Sequence, residues 1–327
     1  MEDTILPSKI FCFHPSAEKE TKNRNRTVYH YTSPEGLLAI LSSSSIRFTD
    51  CQFLNDRSEY NHIHIPLEAA FEEVRSSLYH TGLSELIQGF INDKYDFQEL
   101  IVENPSLGHD GTKLLTMRHF VFCASTDPDL LNMWNYYVKG NKYQGYNLGI
   151  SVNDIIRSLS SMTEHNSKLF YGPVIYSNKE KIDTLKKAIQ VTDESLHLAL
   201  KNISNSDNQE LVIQEKYEEL VSYLENFRLF FKDASFSSEK EYRFVLRMPE
   251  RQTEMPGSPI KIDYTVRQGV VTPHCDVPFR KNGVIKKITV APMVENALAT
   301  AGLQRYLQDN GYDNYIEINE SKIPIRY

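Results

Sequence analysis

Apolar residues alternate with polar ones in short runs along this chain, and stretches of helical spacing separate the runs. Strand-like alternation falls at residues 27–31, 46–49, 119–124, 146–152, 171–176 and 241–248, and again at 259–264, 285–291 and 314–318. Helical periodicity occupies 34–42, 66–79, 84–103, 128–138 and 294–309. Ser33-Pro34-Glu35 supplies a capping hydroxyl, a first-turn proline and an early acid, which predicts a helix start. Gly311 is placed to close the last helix in the left-handed conformation. Strands and helices mix without regular βαβ alternation, so the chain reads as α+β. Residues 1–26 form a lead-in and 27–327 a single domain.

One stretch reads as an inserted helical hairpin, about 178–232, with helices at 178–203 and 207–232 around a polar loop at 202–208. The second helix carries Ile213, Tyr217, Leu220, Leu224, Phe227 and Phe231 at alternating steps of four and three, a coiled-coil-like seam. Ile182, Leu185, Ile189, Leu196 and Ile203 are its partner positions on the first. Such a hairpin either covers the sheet or offers a surface to another protein.

Composition narrows the choice of partner. The chain has 327 residues, 24% charged, and a net charge of −7, so broad electrostatic capture of nucleic acid is disfavoured. Only the runs 22–26 and 280–287 are locally basic. Nineteen Tyr and sixteen Phe leave rings to spare for stacking. Cys12, Cys51, Cys123 and Cys275 form no C-x-x-C pair, which argues against a zinc ribbon or a disulfide framework. His62-x-His64 lacks the spacing of a helical zinc site, and no metal is expected. No signal peptide and no apolar stretch of membrane-spanning length is evident, so a cytoplasmic protein without membrane partners is expected. Neither a Rossmann G-x-G-x-x-G nor a P-loop occurs.

Chemistry concentrates in a few segments. In a strand through Glu239, Glu241 and Arg243, those three side chains share one face and Tyr242 and Phe244 the other. A carboxylate at 241 is hard to bury without a purpose, and an ion pair with Arg243 or a nearby lysine is the plainest one. Trp134 and Tyr137, three apart on a helix, can build one aromatic wall, although such a pair alone is more often core packing. A lone strand histidine such as His30 is usually a satisfied core or edge residue.

Taken in order, His30-Tyr31, Asn55-Asp56-x-x-Glu59, Met133-Trp134-x-x-Tyr137 and Phe236-x-x-Glu239-x-Glu241-Tyr242-Arg243 resemble a bacterial family of formerly unknown function. The closing Ser321-x-Ile323-Pro324-x-Arg326 resembles that family's last motif. The family is similar to a His-Tyr-Glu branch of the ADP-ribosyltransferase superfamily. Phe236 stands where the family usually has tryptophan, and the length between Val174 and Phe231 is consistent with an insertion. The resemblance implies a split antiparallel sheet with flanking helices and NAD as co-substrate. Glu241 would stabilise the oxocarbenium-like transition state of nicotinamide–ribose cleavage. Glu239 would orient or deprotonate the acceptor, and Tyr137, backed by Trp134, would stack on the nicotinamide. His30 would hold the adenosine ribose and the Tyr31 backbone the nicotinamide amide, with Thr32, Asn55, Asp56 and Arg243 completing the cofactor-binding set. Related proteins include toxins of anti-phage and toxin–antitoxin modules. The implied activity is transfer of ADP-ribose to a macromolecule, leaning to single-stranded RNA, with a neutralising protein as a possible partner. Transfer to protein, NAD hydrolysis and non-catalytic nucleotide sensing are the alternatives.

Overall fold

The computed structural model describes residues 4–5, 10–12, 25–54, 63–92, 99–103, 112–137, 143–160, 168–201, 203, 206–249, 260–267, 269–312 and 316–325. The strands are β1 (Thr4–Ile5), β2 (Phe11–Cys12), β3 (Thr27–Thr32), β4 (Ser45–Asp50), β5 (Glu99–Glu103) and β6 (Thr112–Ser125). They continue with β7 (Tyr146–Ser151), β8 (Lys168–Pro173), β9 (Glu241–Pro249), β10 (Asp263–Arg267), β11 (Val270–Pro278), β12 (Ile285–Val290) and β13 (Glu317–Glu320). The helices are α1 (Pro34–Ser43), α2 (His64–Val74), α3 (Thr81–Ile91), α4 (Leu131–Tyr136), α5 (Val152–Ser160), α6 (Asn178–Lys201), α7 (Ser206–Phe230) and α8 (Asn296–Asp309). The α+β class expected from the pattern is the class observed.

Local chemistry explains several boundaries. The Gly36 amide donates to Ser33 Oγ at 3.1 Å, and Pro34 needs no amide partner at the first turn, so α1 begins where expected. Gly311, one residue beyond the C-cap Asn310 of α8, has φ 68°. Other boundaries differ. The helical run expected over 84–103 ends at Ile91, and Glu99–Glu103 is a strand paired with the start of β6. The strand expected over 146–152 stops at Ser151, and Val152 opens α5, whose Ile155, Ile156 and Leu159 are buried. A short apolar run does not declare its own period. The strand expected over 259–264 instead starts at Asp263 and is the first arm of the β10–β11 hairpin.

Among the described residues all strands join one mostly antiparallel sheet, with β12–β13 the parallel pair. Its main path runs β1-β2-β8-β9-β6-β3-β7-β12-β13. Strand β6 is shared. One edge pairs with β9 from Met117↔Pro249 to Ser125↔Glu241. The other edge divides: β3 meets it at Tyr29↔Ser125, and β4 meets it at Thr49↔Val121 and Asp50↔Phe120. Strands β3 and β4 therefore part beside Phe122–Ala124, and the sheet forks there. From the fork, β4 continues to β11 and then to β10.

The two faces of β6 and β9 carry separate cores. Phe120, Phe122, Tyr242, Phe244 and Leu246 pack with α1, α5 and α8. On the opposite face, Val121, Val245 and Phe170 meet α2, α3 and the paired helices α6 and α7. Of the expected hairpin seam, Leu220, Leu224, Phe227 and Phe231 are fully buried, as are Leu185, Ile189 and Leu196 on α6. These side chains cover the sheet as much as each other.

Under α7 the covered face holds a buried charge cluster. Glu225 lies 3.2 Å from His119 Nε2 and 2.8 Å from Arg247 Nη2, and His119 and Arg247 are cross-strand partners. Removing one member of a buried pair strands the other, so Glu225→Ala should destabilise the fold by roughly 3–5 kcal/mol in urea unfolding. Burial pushes the His119 pKa down despite Glu225. For Glu225, burial pushes upward, but His119, Arg247 and Arg228 outweigh it and the pKa is lowered. The unfolded chain thus binds more protons at both sites, and stability falls with acidification. For His119 the contribution is intact above its unfolded pKa of about 6.5 and lost as pH falls through the lower folded value. Unfolding free energy should drop below pH ~6.5, less steeply in His119→Gln; an unaltered slope removes His119 from this account.

Candidate functional site

A cleft with a cavity volume of about 140 Å³ opens at the fork. Strand β3 contributes Tyr29, His30 and Tyr31, β4 contributes Arg47 and Thr49, and β6 contributes residues 121–124. Met133 and Tyr137 come from α4 and its end, Lys232 from the end of the helical hairpin, Glu239 from the turn before β9, and Glu241 and Arg243 from the start of β9. Leu54 and, on β10, Arg267 complete the lining. Residues more than two hundred positions apart meet because β3, β4 and β9 all pair with β6, and β10 joins them through β11 and β4.

The fork dictates the role of His30. His30 Nδ1 lies 3.1 Å from the Cys123 carbonyl, at the place where β3 and β4 have separated. A carbonyl only accepts, so the proton sits on Nδ1. Burial lowers the His30 pKa, with the Cys123 bond opposing. The neutral ring therefore has Nε2 as an acceptor.

Four buried charges form the other wall. Lys232 Nζ donates to Glu239 Oε2 at 2.7 Å and to Glu241 Oε2 at 3.0 Å. Arg243 grips Glu241 through Nε at 2.8 Å and Nη2 at 3.0 Å, and its Nη1 donates to the Leu229 carbonyl at 2.6 Å. Two carboxylates balance two cations. Burial pushes the Glu241 pKa up, but Arg243 and Lys232 outweigh it and hold it at about 2. Burial would lower the Lys232 pKa, yet Glu241 and Glu239 raise it well above the usual lysine range. Tyr137 donates its hydroxyl to Glu239 Oε1 at 3.2 Å, and burial followed by Glu239 raises its own pKa.

Glu239 reaches this cluster by a route other than the expected one. It ends a 3₁₀ turn, Ala234–Glu239, and β9 begins at Glu241, so the two do not alternate along one strand. Between them Lys240 adopts φ 47°, a left-handed conformation unfavourable for a side-chain-bearing residue. The surroundings fix it. Ser125 Oγ donates to the Glu239 carbonyl at 2.8 Å, the Thr126 amide donates to the Lys240 carbonyl at 2.8 Å, and Lys240 Nζ meets Asp127 at 2.8 Å. The expected face of Glu241 and Arg243, opposite buried Tyr242 and Phe244, is present.

The remaining expected residues fall in three places. Trp134 is fully buried behind the cleft, edge-on to Tyr31 with ring centroids 4.7 Å apart. Tyr31 lines the cleft while its hydroxyl donates to the Asp127 carbonyl and accepts from the Leu130 amide. Thr32 is buried outside the lining; a Cβ added to Gly36 would come 2.1 Å from Thr32 Oγ1, so Thr32 packs on the start of α1. Phe236 stands under Lys232, whose Nζ is 4.8 Å from the ring centroid. Asn55, Asp56, Glu59 and Arg326 lie outside the described residues.

Two residues absent from the sequence reading hold the site together: Lys232 and Asp129. Asp129 accepts from Trp134 Nε1 at 2.8 Å, Ser321 Oγ at 2.7 Å and the Lys322 amide at 2.7 Å. It thereby ties the C-terminal Ser321–Ile323 segment to the aromatic cluster of Tyr31, Met133 and Trp134. The Asp127-Pro128-Asp129 turn between two patterned segments was its only sequence signal.

Residues 133–244 match the model of a family described as Protein of unknown function (DUF2971). The matched segment, about a third of the chain, includes Tyr137, the hairpin, Lys232, Glu239, Glu241 and Arg243, and leaves out His30 and Tyr31. That description names no activity. Comparison with curated proteins and with solved structures gives no match. Among the described residues no group of three or more His, Cys, Asp or Glu side chains could hold a metal ion. Among them, too, no helix is long and apolar enough to cross a membrane.

Asp129→Asn exchanges one acceptor oxygen for a donor facing other donors. We expect a loss of about 1–3 kcal/mol and faster proteolysis after Ser321, read by timed digestion and intact mass. Digestion at the wild-type rate would mean that Asp129 does not anchor the tail.

Proposed function

We propose that this protein transfers ADP-ribose from NAD to a macromolecular acceptor, single-stranded RNA by preference. The observation that carries this reading is the forked-sheet cleft, where His30, Tyr137 and the Glu239–Glu241 carboxylates converge from three distant segments. The resemblance to the His-Tyr-Glu branch of ADP-ribosyltransferases supports it, as does the division of β6 between β3 and β4 in a mostly antiparallel sheet.

NAD would supply an ADP-ribosyl group whose bond to nicotinamide breaks with positive charge developing on the ribose. Glu241, ionised above pH of about 2 and paired with Arg243 and Lys232, would turn its carboxylate oxygens towards that change. His30 Nε2 would accept a hydrogen bond from a ribose hydroxyl, and Tyr137 would give its ring face to the nicotinamide. Nicotinamide leaves with the bonding electron pair. The acceptor's nucleophilic atom bonds the ribose carbon and gives up its proton, for which Glu239 is the candidate base. The acidic chain has no need of a broad basic face for this acceptor, since single strands are held by stacking on rings and a narrow basic groove. A growth-arresting or anti-phage role, and a neutralising partner, follow from the same resemblance alone.

One observation favours a second reading. Each charged group on the β9 wall already has a partner: Glu241 is held by Arg243 and Lys232, and Glu239 by Lys232 and Tyr137. A fully satisfied wall suits a nucleotide-binding module without turnover. Nicotinamide release from NAD by the purified chain separates the two. We expect release, and at least ~100-fold slower release by Glu241→Gln at retained secondary structure. NAD binding without release by the wild type would establish the sensor reading. Label from radioactive NAD appearing on protein and never on RNA would move the acceptor to protein.

A further inference from the structure

Cations on the two walls of the cleft are committed to different degrees. On the β9 side, Lys232 and Arg243 are each held by carboxylates at 3.0 Å or less. Across β6, Arg47 of β4 is met by Asp276 of β11 in a two-point contact at 3.0 and 3.2 Å, with both side chains open to solvent. Arg267 of β10 lines the same cleft, and among the described residues its side chain has neither a hydrogen-bond nor an ion-pair partner.

Its direction is set by the strand. Side chains of β10 alternate: Tyr264 and Val266 are 62% and 71% exposed, while Thr265 and Arg267 are half-buried. Arg267 therefore belongs to the face of the hairpin turned towards the protein. It sits at the hairpin end, opposite Val270, where Gly269 at φ 81° makes the tight return. A guanidinium turned inward with no carboxylate partner among the described residues is electrostatically incomplete, and its planar fork fits phosphate oxygens at two points.

We propose that Arg267, supported by Arg47, forms an anion-binding wall of the cleft that takes the diphosphate of a nucleotide. The two walls would then be complementary to a ligand that is anionic in its middle and develops positive charge at one end. This rests on the nucleotide reading above and adds to it the residue that recognises the phosphates. A ligand without phosphate gains nothing from Arg267.

The test is calorimetric titration of the full chain with inorganic pyrophosphate, ADP and nicotinamide, in the wild type, Arg267→Gln and Arg267→Lys. In Arg267→Gln, ADP and pyrophosphate should bind roughly ten-fold more weakly or worse, with partial recovery in Arg267→Lys. Nicotinamide affinity should not change. Wild-type ADP binding should weaken as salt is raised, and that dependence should shrink in Arg267→Gln. Equal ADP affinity in wild type and Arg267→Gln overturns the anion wall, as does a wild type that binds neither ADP nor pyrophosphate. The two readings fail separately. Pyrophosphate binding that depends on Arg267, in a protein that does not bind NAD, keeps the wall and removes the dinucleotide. Nicotinamide release with an unchanged KM for NAD in Arg267→Gln does the reverse.

Discussion

A strand has two edges, and β6 gives one of them to β9 and divides the other between β3 and β4. Between Val121 and Ser125 that second edge has no continuous ladder, yet buried backbone groups must be paired. The His30 side chain answers part of this need at the Cys123 carbonyl. The cleft is thus a consequence of strand pairing, and its walls are as rigid as the ladders that end there. Lys240 shows the same economy, since a left-handed residue persists only where surrounding bonds fix it. Ser125, Thr126 and Asp127, which follow β6 out of the fork, make those bonds.

The charges on the β9 wall depend on the hairpin. Phe231 bridges to Ile175, and the Lys232 amide donates to the Ile175 carbonyl at 3.2 Å. Lys181 of α6, itself buried, donates to the Lys232 carbonyl at 2.8 Å. Lys232 is thereby placed from both helices before its ammonium reaches Glu239 and Glu241. Without it, two carboxylates would share a buried site with only Arg243, and one would be driven towards protonation. The hairpin is for this reason more than a cover on the sheet: its base completes the charge balance of the cleft.

Patterning resolved what depends on local periodicity. The strand at 241–248, the α1 cap and both hairpin helices were legible because each has several turns or alternations of its own. The convergence of His30, Tyr137, Glu239 and Glu241 was legible through motif resemblance, while their contacts were not. Glu239 reads as a strand residue, since E-K-E-Y-R alternates, and only the bonds from Ser125 and Thr126 reveal the turn that interrupts it. Lys232 follows two phenylalanines at the end of an apolar seam, a setting that predicts a solvated helix end. Arg267 lies in a segment whose strand pattern was placed four residues early. In each case the deciding partner is remote in sequence, where periodicity carries no information.

The buried quartet also constrains any chemistry in the cleft. Its formal charges sum to zero, so Glu241 does not act as a bare anion; it acts as one end of fixed dipoles with Arg243 and Lys232. Fixed dipoles can still favour a developing cation, provided that the carboxylate oxygens are nearer to it than the nitrogens are. Both Glu241 oxygens accept from Arg243, and one of them also from Lys232. The orientation of Lys232 is then the variable that matters. While it bridges Glu239 and Glu241, the wall is neutral and stable. A ligand hydroxyl that takes over its place on Glu241 would leave that carboxylate balanced by Arg243 alone, with more of its charge directed into the cleft. In the proposed transferase, the stability of this wall and its reactivity towards NAD would therefore be set against each other at a single ammonium group, that of Lys232.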